Sequence, residues 1–300
     1  MHKILLTGAS GFIGRHCIEP LIARGYDVHA VSSRPAPRDA GGATWHQTNL
    51  LQPADARALL AEIAPTHLLH LAWYVVPGKL ISSPENFTWV ASSLDLIRQF
   101  AEHGGKRMVI SGSAYEYDWS YGYCSEKLTP AVPNTVYGSC KQALNLLAQS
   151  LAGQAGLSAA WGRVFFLYGP REHQDRLVSS VIRALLKNEA APCSHGRQIR
   201  DYMHVQDVGD ALVSLLDSDV QGAVNVSSGQ ATTLREIVLT IGRLLERPDL
   251  IRLGAIPARA NDTPLVVGEN TRLLTELGWT QRFDLESGLQ QTINWWKAQN

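Results

Sequence analysis

Short apolar runs of strand length, at Lys3–Leu6, Val28–Ser32, Thr44–Thr48, His67–Leu71, Arg107–Ser111 and Ser158–Phe165, alternate with longer amphipathic stretches. No other feature of the chain restricts its fold as much. Strands each followed by a helix are joined through crossovers, so the alternation predicts a parallel sheet of βαβ units with helices on its faces. After Gly169-Pro170 the rhythm loosens. A helical pattern at Arg176–Lys187, a strand-like run at Gln198–His204, a helix at Gln206–Leu216, a strand at Ala223–Val226 and further helical patterns predict a smaller second domain, partly interleaved with the first.

A chain of 300 residues, 45% of them hydrophobic, can bury a substantial core. Lys plus Arg and Asp plus Glu each number 27, so no global charge invites nucleic acid, an anionic membrane or an acidic partner; phosphate must be bound locally. Cys17, Cys124, Cys140 and Cys193 are scattered without a C-x-x-C, which predicts free thiols in a reducing compartment and neither a disulfide framework nor a zinc site. The apolar run ending at Thr7 is too short for a signal peptide, and no segment has membrane-spanning character, so a cytoplasmic protein is expected. His67 and His70 have metal-like spacing but face opposite sides of a strand, and no metal site is expected.

The first strand runs directly into Thr7-Gly8-Ala9-Ser10-Gly11-Phe12-Ile13-Gly14, which opens a helical pattern with Ile13, Cys17, Leu21 and Ile22 on one face. Gly8 permits a tight turn, Gly11 lets backbone approach a pyrophosphate, Gly14 allows helix to pack on strand, and the helix start offers unpaired N–H groups. A glycine turn with only a connecting role is the alternative, weakened by the strand before it and the helix after it. Further along, Tyr137 and Lys141 stand at i and i+4 in a helical pattern continuing through Ala143, Leu144, Leu147 and Leu151, hence on one helix face. A neighbouring ammonium favours phenolate and is expected to lower the phenol's pKa from about 10. The pair alone would read as an ordinary surface contact.

The G-x-x-G-x-x-G spacing, the Tyr-x-x-x-Lys pair, Ser111-Gly112-Ser113-Ala114-Tyr115-Glu116-Tyr117, Arg163-Val164-Phe165-Phe166-Leu167-Tyr168-Gly169-Pro170 and Gly196–Val208 together resemble the extended short-chain dehydrogenase/reductase family. That resemblance implies a Rossmann α/β fold, a doubly wound parallel sheet over residues 1–168 with later contributions from 204–228, and a mainly substrate-binding α/β domain over 169–300. It implies catalysis by Ser113, Tyr137 and Lys141. The implied cofactor contacts are Gly8, Ser10, Gly11, Phe12, Ile13, Gly14, Ser32, Ser33, Arg34, Asn49, Leu50, Leu71, Ala72 and Trp73, with Tyr137 and Lys141. Asn49 stands where the family usually has Asp. The implied substrate contacts are Tyr74, Ser113, Phe166, Arg200 and Arg259, the arginines for a pyrophosphate; a structural ion pair is their other reading. Asp207 reads as a helix-start acid, and Trp295-Trp296 as cover for a core. The family further implies a homodimer through the helix of Tyr137 and the one around Phe87–His103.

The family's chemistries are dehydration, C4 epimerisation and ketosugar reduction on nucleotide-linked sugars. Dehydratases of the family place Asp-Glu directly after the catalytic Ser or Thr; here Ala114 and Tyr115 stand there, with Glu116 one residue later, which disfavours dehydration. The second strand ends Val31-Ser32-Ser33-Arg34, without a carboxylate for a ribose 2′-OH and with hydroxyls and a guanidinium suited to a 2′-phosphate. NADP(H) is therefore expected over NAD(H), and with it a 4-ketoreductase acting on a nucleotide 6-deoxysugar. An NAD-dependent C4 epimerase is the alternative, and a non-catalytic NADP sensor a third reading that the Tyr-x-x-x-Lys pair opposes. Phe166, Trp73 and Trp89 replace smaller or polar residues of the family and imply an altered sugar pocket.

Overall fold

A computed structural model describes residues 2–37, 41–258 and 262–299. The strands of the first part are β1 (Lys3–Thr7), β2 (Asp27–Ser32), β3 (Thr44–Gln47), β4 (His67–His70), β5 (Arg107–Ser113), β6 (Tyr123–Cys124) and β7 (Ser158–Val164). Among them run α1 (Ile18–Ala23), α2 (Pro53–Ile63), α3 (Glu85–Glu102) and α4 (Val136–Ala155). Then follow β8 (Phe166–Tyr168), α5 (Leu177–Leu186), β9 (Ala191–Cys193), β10 (Ile199–Arg200), β11 (Tyr202–His204), α6 (Val205–Leu216) and β12 (Gly222–Val226). The chain closes with β13 (Thr232–Thr233), α7 (Leu234–Leu244), β14 (Ile251–Leu253), β15 (Leu265–Gly268), α8 (Thr271–Thr275) and α9 (Leu285–Lys297).

The main sheet has seven strands in the order β12-β7-β5-β4-β1-β2-β3, every neighbouring pair parallel. Period-two alternation distributes its side chains over two cores. Ile4, Leu6, Ala30, Leu69 and Val109 face one side, where Leu21 of α1 and Val208, Leu212 and Leu215 of α6 cover them. Leu5, Val31, Leu68, Met108 and Trp161 face the other, against Leu60 of α2, Phe100 of α3 and Leu144 of α4. The strand order reverses between β1 and β4, and in an open sheet ligands bind in the crevice beyond the carboxyl ends at that reversal. Thr7 and His70, the last residues of those strands, are therefore the floor of the expected site.

Two expectations about local structure need correction. The helix after the glycine loop is not continuous: a 3-10 turn at Gly14–His16 precedes the short α1, and Ile22 is exposed rather than part of the apolar face. Pro20 explains the break, because it has no N–H for the His16 carbonyl and its ring crowds that turn. The run Gln198–His204 is two strands: β10 joins a sheet ordered β13-β10-β15-β6, whereas β11 pairs with β8. Asp201 divides them. Its fully buried carboxylate accepts from the backbone N–H groups of Ser228, Gly229 and Gly268 and from the Ser228 hydroxyl, so the chain turns around this acid. All four cysteines are free and buried. Trp296 packs against the core of the C-terminal part. Among the described residues no helix is long and apolar enough to cross a membrane.

Candidate active site

The glycine loop is packed backbone against backbone. Gly8 has φ +67°, and a Cβ there would lie 2.8 Å from the Ala72 nitrogen; a Cβ on Gly14 would lie 2.2 Å from the Gly8 carbonyl oxygen. The Gly11 N–H bonds that same carbonyl at 2.9 Å, and Arg15 clasps the loop from outside through the Ser10 and Gly11 carbonyls. Among the described residues nothing accepts from the N–H groups of Phe12 or Ile13. A cradle this tight, with donors left over at a helix start, fits the pyrophosphate of a dinucleotide. Beneath it the Thr7 hydroxyl bonds His70 Nδ1 at 2.7 Å and accepts from Leu71 and Ala72 N–H, while Ser93 on α3 engages His70 Nε2. Burial pushes His70 down to about 3, so it is a neutral strut. Sequence reasoning assigned it no part, although Thr and His ending adjacent parallel strands is a readable signal.

At the end of β2 the Ser32 hydroxyl lies 2.9 Å from that of Ser10 and accepts from Arg34 N–H. Strand end and glycine loop are thereby joined, with Ser33 and Arg34 exposed beside them. Asn49 is exposed; its Oδ1 accepts from Leu51 N–H, its NH₂ remains a donor, and Leu50 is buried with its carbonyl bonded by Ser92.

Ser113 ends β5 and caps a 3-10 turn at Ala114–Glu116, so the side chains after it follow a fixed course. Helix α4 is capped by Thr135, whose hydroxyl accepts from Gly138 N–H, and this sets Tyr137 in its first turn. The first turn rests on the Ser113 segment: a Cβ at Gly138 would lie 2.1 Å from the Tyr115 carbonyl oxygen. Gly138→Ala is expected to lift the start of α4 from the Ser113 segment, costing about 1–3 kcal/mol of stability by overpacking. Chemical denaturation checks this; an unchanged midpoint would contradict it.

Tyr137 and Lys141 are both buried. Burial drives the Tyr137 phenol above its ordinary pKa; a hydrogen bond from Ser113 opposes this, and the charge of Glu116 adds to it. The expectation that Lys141 lowers that pKa is thus corrected. The ammonium is engaged elsewhere, donating to the Ser111 carbonyl at 2.8 Å and lying 3.8 Å from the centre of the Trp73 ring, and burial pushes it down to about 7. Trp73 is itself held by Asn86, whose amide ties down the loop at Leu80 and Ser83. The Ile81 carbonyl of this loop accepts from Tyr137 N–H.

Around the phenol runs a wall of rings. Tyr115 lies 5.7 Å and Trp73 6.5 Å from Tyr137, Trp119 4.4 Å from Tyr115, Phe166 6.0 Å from Trp119 and Tyr202 5.7 Å from Phe166, centre to centre. Trp89 extends it beyond Trp73. Tyr74 is half-buried and packs on the second core. Tyr115, Trp119 and Tyr202 were given no site role from the sequence, because aromatic residues without a period carry no site signal. Arg200 lies 5.4 Å over the Phe166 ring, is buried and is ion-paired to Asp262 at 2.6 Å. Arg259 lies outside the described residues. Asp207 stands in the first turn of α6 and accepts from the N–H groups of Arg282 and Phe283. Glu116, the residual dehydratase acid, is inaccessible and paired with Arg163 at 2.8 Å.

Residues 4–227 match the model of the NAD dependent epimerase/dehydratase family. A UDP-glucose 4-epimerase of Corynebacterium glutamicum is 25% identical, over 93% of this chain and 90% of its own length. A dTDP-6-deoxy-L-talose 4-dehydrogenase (NAD(+)) of Aggregatibacter actinomycetemcomitans is 26% identical, over 89% of this chain and 99% of its own. The solved structure of MoeE5 in complex with UDP-glucuronic acid and NAD superposes with a TM-score of 0.86 at 29% identity, covering 100% of both chains.

Proposed function

The chain belongs to the NAD dependent epimerase/dehydratase family, and from that premise we propose that it is an NADPH-dependent 4-ketoreductase of a nucleotide-linked 6-deoxysugar. The end of β2 carries this reading. Ser32, Ser33 and Arg34 offer donors and a positive charge where a carboxylate would otherwise meet a ribose hydroxyl, and the Ser10–Ser32 contact sets them against the glycine cradle. When bound, the nicotinamide supplies hydride to the C4 carbonyl carbon. Tyr137 gives its proton to the carbonyl oxygen, Ser113 hydrogen-bonds that oxygen, and the product is the secondary alcohol. The raised pKa of Tyr137 supports a proton donor, since reduction begins from the phenol and oxidation from the phenolate. The ring wall offers apolar faces against which a sugar methyl group can pack. Glu116, bound to Arg163, is withheld from dehydration chemistry.

A C4 epimerase with tightly held NAD is the second reading, favoured by the epimerase and the NAD complex among the similar proteins. Titration separates them. NADPH is expected to bind at least about tenfold tighter than NADH, since one charge-assisted hydrogen bond to a 2′-phosphate contributes about 1.5–3 kcal/mol. Ser32→Asp should reverse the preference and Arg34→Ala should weaken NADPH alone. A wild type that prefers NADH, or both cofactors responding alike in Arg34→Ala, would abandon the reductase for the epimerase. Cofactor binding without turnover of any 4-ketosugar would favour a sensor. We also propose a homodimer through α3 and α4, which pack together and expose Phe87, Leu146 and Leu147. Light scattering giving a monomer at micromolar concentration would oppose this.

A further inference from the structure

We propose that Glu116 is a positioning residue whose buried charge, paired with Arg163, holds the Ser113 backbone and keeps Lys141 in its ammonium form. The inference rests on the reading of Ser113, Tyr137 and Lys141 as the reacting set. Glu116 has no exposed surface, and both of its oxygens are fully engaged. Oε1 accepts from Ser113 N–H at 2.7 Å and the Trp161 indole at 2.9 Å; Oε2 accepts from Arg163 Nε at 2.8 Å and the same indole at 3.0 Å. Trp161 and Arg163 reach it from one face of β7, two residues apart.

The strand that bears Ser113 passes over this pair with no room to spare. A Cβ at Gly112 would lie 2.1 Å from the indole nitrogen and 2.6 Å from Glu116 Oε1. Arg163 lies over the Tyr117 ring and donates to Gln142 of α4, the neighbour of Lys141. The strand carrying Ser113 and the helix carrying Tyr137 and Lys141 are therefore tied through Lys141 and the Ser111 carbonyl and again through Glu116, Arg163 and Gln142. A cap on Ser113 N–H needs only an acceptor, which a neutral amide supplies. What the amide lacks is charge, and a buried charge with its partner carries a desolvation cost that a cap alone does not require.

The charge acts on the reacting pair. Against the burial that lowers Lys141, Glu116 is the group that raises it; on Tyr137 it opposes ionisation together with Tyr115, while Ser113 and Arg176 favour ionisation. His70 of β4 also faces Lys141 but is neutral. The Trp73 face and the Ser111 carbonyl complete its surroundings. Because burial pushes Lys141 down to about 7, loss of one charge nearby changes its ionisation near neutral pH.

Lysine-selective ¹³C NMR on the whole chain, without cofactor or sugar, tests this, with the Lys141 signal assigned by its loss in Lys141→Arg. Glu116→Gln should lower the Lys141 midpoint by about one pH unit or more, Glu116→Asp should hold it near wild type, and Arg163→Gln should raise it by leaving the carboxylate uncompensated. An unmoved or raised midpoint in folded Glu116→Gln overturns the proposal. Should Glu116→Gln fail to fold, Arg163→Gln decides: a raised midpoint supports the proposal and an unmoved one overturns it. Failure of the functional reading is separate, since it shows as undiminished turnover in Tyr137→Phe whatever Lys141 does.

Discussion

Tyr137→Phe is expected to leave folding and cofactor affinity intact while lowering turnover roughly a hundred- to ten-thousand-fold, the range that positioned proton transfer supplies. The ring stays among Trp73 and Tyr115, so only the hydroxyl facing Ser113 is lost. Removing a buried hydroxyl together with its single partner bond costs about 1 kcal/mol or less of stability, too little to unfold a domain. Steady-state kinetics and thermal unfolding on the same sample separate the two effects. Near-wild-type turnover would end the assignment of Tyr137, and gross unfolding would leave the rate loss attributable to structure.

Gly14→Ala should abolish useful cofactor binding. The new methyl would stand 2.2 Å from the Gly8 carbonyl oxygen and 2.8 Å from Ala9 Cα, and these are backbone atoms that no rotamer change can move. The loop must open, and with it go the N–H groups of Phe12 and Ile13. Two charge-assisted hydrogen bonds of about 1.5–3 kcal/mol each correspond to a loss of about a hundredfold or more in affinity. Gly153→Ala is the control: it lies within α4 with open space around it, and replacing a helical glycine there should stabilise by about 0.5–1 kcal/mol. Equal cofactor affinities in Gly14→Ala and wild type would mean that the loop is a connector and not a cradle.

The main sheet was legible because strands such as β1, β4, β5 and β7 are apolar runs set between helical stretches; β3, at the edge and without a buried residue, is the exception. The glycine loop leaving the first strand marked where a dinucleotide would lie, but the strand order, and so the reversal between β1 and β4, is seen only in the structure. What the sequence hid was long-range polar pairing. Asp201 looked like one residue of a strand, yet its carboxylate meets N–H groups of Ser228, Gly229 and Gly268, and no local pattern announces partners so far along the chain. Arg200 was read as a pyrophosphate contact or a structural ion pair, and its partner Asp262, 62 residues further on, could not be named from local pattern. Lys141 stood one helical turn from Tyr137 as expected, but a helix fixes only the common face; Ser111 and Trp73 decide where the ammonium lies. Glu116 had been readable in part. Ser113 with Glu three residues on is a capping-box pattern, and it marks the carboxylate as bound to the Ser113 backbone rather than offered to a substrate.

The central claim, delivery of hydride once to C4 with a proton from Tyr137, is tested most directly by isotope transfer. NADPH deuterated at the reactive position of the nicotinamide would be incubated with a nucleotide 4-keto-6-deoxyhexose, and the sugar product examined by NMR. The account predicts one deuterium at C4 of a single alcohol for each NADPH consumed, and its disappearance in Tyr137→Phe. Interconversion of two C4 epimers without consumption of added cofactor and without deuterium in the sugar would contradict it.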